Sequence, residues 1–173
     1  MKTIEEWAVR IAEEVAPAET DFAPTWATAF VAGGKERQEL FAQSNAQVAG
    51  FLPGDLMPLL PTILKGLAFA APSILAVLTS DITKTFLECV KNSIALGELF
   101  GKTGKWFSAE TAPAGDENTY VRLNEIMSKL NKEMRPLGLE QSQTDRINVI
   151  VMQLLLENPP EAKRFVEKLA EKK

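Results

Sequence analysis

A Ser–Lys pair one helical turn apart, a Gly-Lys-Thr tripeptide, one cysteine and two pairs of adjacent acids are the residues of this chain whose types could carry chemistry. Ser80 and Lys84 are spaced to meet on one helix face, where a neutral amine would activate a hydroxyl nucleophile. That spacing is common in helices, and no oxyanion-stabilising group can be read beside it. Gly101-Lys102-Thr103 looks like the end of a phosphate-binding loop. The loop motif needs four residues between its first glycine and the Gly-Lys pair, and Gly97 leaves three. The tripeptide also follows a helical pattern rather than a strand, so a flexible connector is expected. Cys89 lies on an apolar stripe and reads as a small core residue. Glu5-Glu6 and Glu13-Glu14 point in diverging directions on a helix and read as a solvated face.

The chain has no histidine. This removes the commonest general base and the commonest metal ligand. It excludes histidine-containing zinc sites and the Glu-x-x-His di-iron motif of helical bundles. No catalytic, cofactor or metal site is assigned, and the expectation is a protein that is not an enzyme. Carboxylate chemistry stays open, because it needs only two acids brought together by the fold.

The elements that would position these residues are helical throughout. Ile4, Trp7, Ala8, Ile11 and Val15 recur at spacings of three and four, with Thr3 and Glu6 as a capping box, which predicts a helix over 4–15. Residues 16–23 read as a loop. Pro24 opens a second helix that Gly33-Gly34 ends, and a third runs over 35–49. Pro53-Gly54 suits a turn, with Asp55 placed as a cap.

Leu56–Thr79 is 24 residues long with one charge, Lys65, and three prolines. Pro61 is expected to break the helix, leaving a regular one over about 61–71 that buries Leu60, Leu64 and Leu67. Pro72 is expected to kink or restart the chain. Ile74, Leu75 and Leu78 then begin a stripe that predicts a long helix to about Phe100, with Thr79-Ser80-Asp81 as the place where it would fray. After a loop over 101–115, Asp116 looks like an N-cap for a helix stopped by Pro136 and Gly138. Ser142 with Asp145 reads as a capping box for the next helix, and Asn158-Pro159 opens the last. No stretch alternates long enough to make a convincing strand. The fold class predicted is all-α: one single-domain bundle of about six to seven helices around a central apolar helix. The acidic segment 1–33 is expected to be peripheral, 56–100 to be the apolar centre, and 116–172 to be a three-helix part.

The 173 residues suit one domain with a sizeable core, and the net charge is −4. Residues 1–21 carry two basic and six acidic side chains, so 2 − 6 = −4 falls there. No basic run could neutralise several phosphates, which argues against nucleic acid as partner. One cysteine excludes an internal disulfide and fits a reducing compartment. The acidic N-terminus does not read as a signal peptide, so a cytoplasmic location is expected.

Three functions remain. The first is a non-enzymatic helical module that binds an unknown protein partner. Its candidate contacts are the aromatics a bundle would struggle to bury, Trp26 beside Pro24 and Trp106-Phe107 in the Gly-rich loop. The second is a membrane-active protein that inserts or forms a pore with segment 56–100, whose Leu60, Leu64, Leu67, Ile74, Leu75 and Leu78 would otherwise be core. A buried helix surrounded by others is the favoured reading of that segment. The third is a carrier of an apolar small ligand. Partner identity and oligomeric state are beyond the sequence.

Overall fold

The computed structural model describes residues 2–42, 58–80, 83, 84, 87 and 117–171. Among the described residues the protein is all-α, with seven α-helices and no strand. These are α1 (Ile4–Val15), α2 (Ala23–Ala32), α3 (Gly34–Ala42), α4 (Leu59–Leu78), α5 (Glu117–Met134), α6 (Gln141–Glu157) and α7 (Pro159–Ala170). The expected turn at 53–55, the cap at Asp116, Cys89, the Gly-Lys-Thr tripeptide, Trp106 and Phe107 lie outside the described residues.

The first helix forms as its pattern demands. Thr3 Oγ1 accepts the Glu6 N–H at 3.2 Å, and the Glu6 carboxylate accepts the Thr3 N–H at 2.7 Å. Two donors that the helix start leaves unpaired are thus satisfied reciprocally. Trp7, Ala8, Ile11 and Ala12 face the core. The Trp7 ring stacks on Phe165 of α7, with centroids 5.4 Å apart.

The stretch expected to be a loop is instead a 3-10 helix, Pro17–Phe22, that runs directly into α2. Pro17 sits at its first position with a preset φ, and the Thr20 hydroxyl donates back to the Pro17 carbonyl at 2.9 Å. Gly33 ends α2 at φ 75, a region that a side chain would strain.

The central helix corrects the expectation that Pro61 breaks it, and at Pro72 it continues rather than restarts. α4 is one helix of 20 residues that runs through both Pro61 and Pro72. Pro61 is only its third residue, ahead of the first intrahelical donor, so no hydrogen bond is lost there. Pro72 does remove a bond, to the Ala68 carbonyl, and it stands on the exposed side of the helix. The next residue, Ser73, ties the helix to α5. Its hydroxyl donates to Glu125 at 3.0 Å and accepts from Lys129 at 2.9 Å. α4 stops at Leu78, where fraying over Thr79–Asp81 is expected from the sequence; of the continuation to Phe100 only Thr83, Lys84 and Leu87 are among the described residues, and they are helical. The Ser80 and Thr83 hydroxyls both donate to the Val77 carbonyl, at 2.8 and 2.9 Å. These side-chain bonds offer the backbone an alternative to the helical ladder.

α4 is the hub, buried between α5 and α7, with α1 and α2 closing over it. Twelve of its residues are buried, among them Leu60, Leu64, Leu67, Ile74 and Leu78, while Leu75 is half-buried. Gly66 marks the closest approach to α5. A Cβ built there would stand 3.2 Å from Leu130 Cδ2 and 3.7 Å from Glu133 Cβ. Gly66 therefore serves close packing inside the protein's own core.

In the C-terminal part the helix starts differ in detail from the sequence reading. Glu140 and Gln143 form the capping box of α6, not Ser142 and Asp145. Asp145 is drawn away into a buried polar cluster. It accepts from Gln141 at 2.7 Å and from Asn131 of α5 at 3.1 Å, and Asn131 in turn accepts from Asn148. Asn158 occupies the N-cap position of α7, but its amide donates to the Glu161 carboxylate at 2.8 Å.

Gly66→Leu is expected to destabilise the protein by about 1–3 kcal/mol or more by wedging α4 from α5. Gly66→Ala is expected to change stability by less than about 1 kcal/mol, because better helix propensity offsets a contact that Leu130 can relieve. Urea denaturation of the two variants checks the contrast, and equal losses would show that the helices do not approach through Gly66.

Candidate functional site

The sequence candidates separate into three groups. Leu60, Leu64, Leu67, Ile74 and Leu78 are core, and Leu75 packs against the core from a half-buried position. Trp106 and Phe107 lie outside the described residues. Trp26 stands at the surface, half-buried, with its ring stacked beneath Phe22 at a centroid separation of 5.4 Å and an interplanar angle of 18°. Phe22 is 55% exposed, more than any other large apolar side chain among the described residues. Together they make an aromatic shelf at the junction of the 3-10 helix and α2.

The backbone explains the pairing. Phe22 and Trp26 are four residues apart across a helical junction without a break, a separation that puts side chains on one face. Phe22 and Glu19 are three apart in a 3-10 helix, a spacing at which side chains eclipse. Glu19 is fixed in turn. Its two carboxylate oxygens accept the backbone N–H groups of Leu59 and Leu60 at 2.8 and 2.7 Å. The shelf is therefore anchored to the first turn of α4.

Burial raises the Glu19 pKa above the usual 4.5, against the opposing pull of the Leu60 and Leu59 bonds. The folded protein thus binds this proton more readily than the unfolded chain. Stability linked to the group is fully present below pH 4.5 and is lost as pH rises through the folded value. Acid does not release α4 by way of Glu19.

Other polar groups come together without forming a reaction centre. Ser80 turns its hydroxyl to Val77 rather than to Lys84. A different serine and lysine do meet, Ser73 and Lys129, a pairing that no local pattern reports because 56 residues separate the two. Lys129 donates both to Ser73 and to Glu125, and the serine hydroxyl donates to Glu125. An amine that donates to the hydroxyl offers it no lone pair, so the arrangement does not activate a nucleophile. The Lys129 hydrogen bond, then that of Ser73, holds the Glu125 carboxyl below its usual range, which makes it a poor base. The trio is an interhelical tie. Among the described residues no group of three His, Cys, Asp or Glu is arranged to hold a metal ion.

An open groove of about 500 Å³ runs along the outer face of α1, lined by Lys2, Glu5, Glu6, Arg10 and Glu13 with Val9 and Pro24. Arg10 is committed to Glu157 at 2.7 Å and lies over the Trp7 ring. On α4 Phe69 is 49% exposed, with Lys132 over its ring, and Pro72 and Ala76 continue its face along the helix. No family model, no curated protein and no solved structure matches the chain.

Phe22 was not singled out by the sequence reading, although its spacing from Trp26 was visible. Assigning residues 16–23 to a loop hid the helical register that joins the two rings.

Replacing Glu19 by Ala leaves the Leu59 and Leu60 N–H groups without their side-chain acceptor, an expected loss of about 1–3 kcal/mol. The gap to the wild type is expected to be widest below pH 4.5 and to narrow as pH rises. Urea titrations at a series of pH values read this directly. A gap that widens with pH would mean that the carboxylate's hydrogen bonds outweigh its burial.

Proposed function

We propose that the protein is a non-enzymatic helical module that docks a protein partner through the Phe22–Trp26 shelf. The carrying observation is the exposure of Phe22, held in place by stacking on a half-buried tryptophan. A ring that meets solvent yet is fixed in orientation loses little conformational freedom on binding. Aromatic anchors of this kind dominate the energetics of many interfaces. A cytoplasmic setting is part of the proposal and rests on the single cysteine.

The membrane-active reading is the alternative, and α4 is the observation that favours it. At 20 residues it is long and apolar enough to cross a bilayer, and Phe69, Pro72 and Ala76 already face outward. Against it, twelve of the helix's residues are packed in the core, so insertion would require α5 and α7 to leave them. Flotation with neutral and anionic liposomes separates the readings, because a docking module stays in the soluble fraction. The apolar-carrier reading draws no support from the groove on α1, which charged side chains line.

A photo-crosslinking side chain placed at Phe22 in the expressed protein is expected to capture a discrete partner that the same group at Lys35 does not. The substitution Phe22→Ala is expected to weaken capture of that partner at a neighbouring probe position by about tenfold or more, since it removes an interface anchor. It should alter unfolding stability by less than about 0.5 kcal/mol, because the ring is exposed. Identical adducts from both positions would remove the shelf as a docking site.

A further inference from the structure

The charge around the shelf specifies the partner further, an inference that rests on the docking reading above. Between Arg10 and Lys35 the chain carries four carboxylates, Glu13, Glu14, Glu19 and Asp21, and no basic residue. Glu19 is committed to the start of α4. Glu13, Glu14 and Asp21 are exposed and make no ion pair among the described residues. Asp21 directly precedes Phe22.

Glu13 and Glu14 stand in the last turn of α1, and no basic residue accompanies them. Peptide dipoles make that end of a helix negative, so it favours cations and is destabilised by added acids. The six-residue 3-10 helix that separates them from Phe22 is only about 12 Å long at about 2 Å per residue. Such charges interact across that span at low salt, where the screening length is about 30 Å at 0.01 M. The apolar anchor is thus flanked along the chain by exposed acids that make no ion pair among the described residues, with Glu13 also lining the groove on α1 that Lys2 and Arg10 share.

We propose that the shelf takes a basic segment of a partner protein, with an apolar residue on the Phe22 ring and Arg or Lys side chains against Glu13, Glu14 and Asp21. Arginine suits the site better than lysine, because its planar guanidinium stacks on an aromatic face and pairs with carboxylates. Anionic lipid and nucleic acid are repelled by the same charge. A second copy of this chain fits poorly too, since a two-fold contact would set the acids of one shelf against those of the other.

The test uses the full chain and three fluorescent peptides of about four helical turns. All share one pattern of leucines at helical spacing, and their polar positions carry Arg, Gln or Glu. Binding is followed by anisotropy at low and at physiological salt. The Arg peptide is expected to bind, to weaken with salt, and to outcompete the Gln peptide, while the Glu peptide does not bind. Neutralising the rim with Glu13→Gln, Glu14→Gln and Asp21→Asn together is expected to weaken the Arg peptide about tenfold, at roughly 0.5 kcal/mol for each exposed pair. It should leave the Gln peptide unchanged. Phe22→Ala is expected to weaken both peptides by about tenfold or more. Circular dichroism verifies that each variant is folded.

Equal binding of the Arg and Gln peptides, with both weakened by Phe22→Ala, would overturn the basic partner and leave the docking shelf standing. Binding of the Arg peptide that neither set of substitutions alters would place it elsewhere and overturn both. Absence of binding by any peptide would do the same.

Discussion

A buried apolar helix has to dispose of the N–H groups at its start, and in α4 this is done without any local capping side chain. Pro58 and Pro61 carry no N–H at all. The two donors between them, on Leu59 and Leu60, go to the oxygens of Glu19, some forty residues earlier in the chain. One carboxylate and two prolines therefore close the account for the whole first turn. Much else follows from that contact. It fixes the 3-10 helix against the bundle, sets the direction in which α2 leaves it, and presents the Phe22 ring outward. The helix could then be as apolar as packing between α5 and α7 requires, since its polar end is satisfied from outside.

The candidate surface is built from groups that gain little inside the fold. Phe22 contributes most of its area to solvent, and the acids near it oppose the dipole of the helix that carries them. Elsewhere the protein obeys the opposite habit. Arg10 meets Glu157, Lys65 meets Glu133, and Lys163 lies one turn from Glu167. Positions that break a local rule without compensation within the chain are where function is most economically sought.

How far the sequence went depended on the range of the interaction. Amphipathic stripes and the Thr3–Glu6 box depend on neighbours within one turn, and they located α1, α5 and α7 well. Pro61 does not break the helix because the cost of a proline depends on whether its N–H would have been used. That is a fact of helix start, not of residue type. Ser142 and Asp145 had the spacing of a capping box, yet Asn131 claimed the carboxylate from another helix. Glu19, Ser73 and Lys129 act across separations of 40 to 56 residues. No periodicity reports such partners. Trp26 is named as a candidate from its type, while its stacking partner Phe22 is not, because a 3-10 helix rich in polar residues looks like a loop.

The distance between Glu19 and the helix it caps also has a direction in time. A ribosome makes the chain from its N-terminus, so the carboxylate emerges well before Leu59 and Leu60. The most apolar stretch of the protein therefore enters the cell after the group that completes its first turn. A helix whose cap lay downstream would have to wait for later synthesis to complete its first turn. Here the N-terminal arm can complete that turn as the new helix appears, while the leucines that face α5 and α7 stay uncovered until those helices are made.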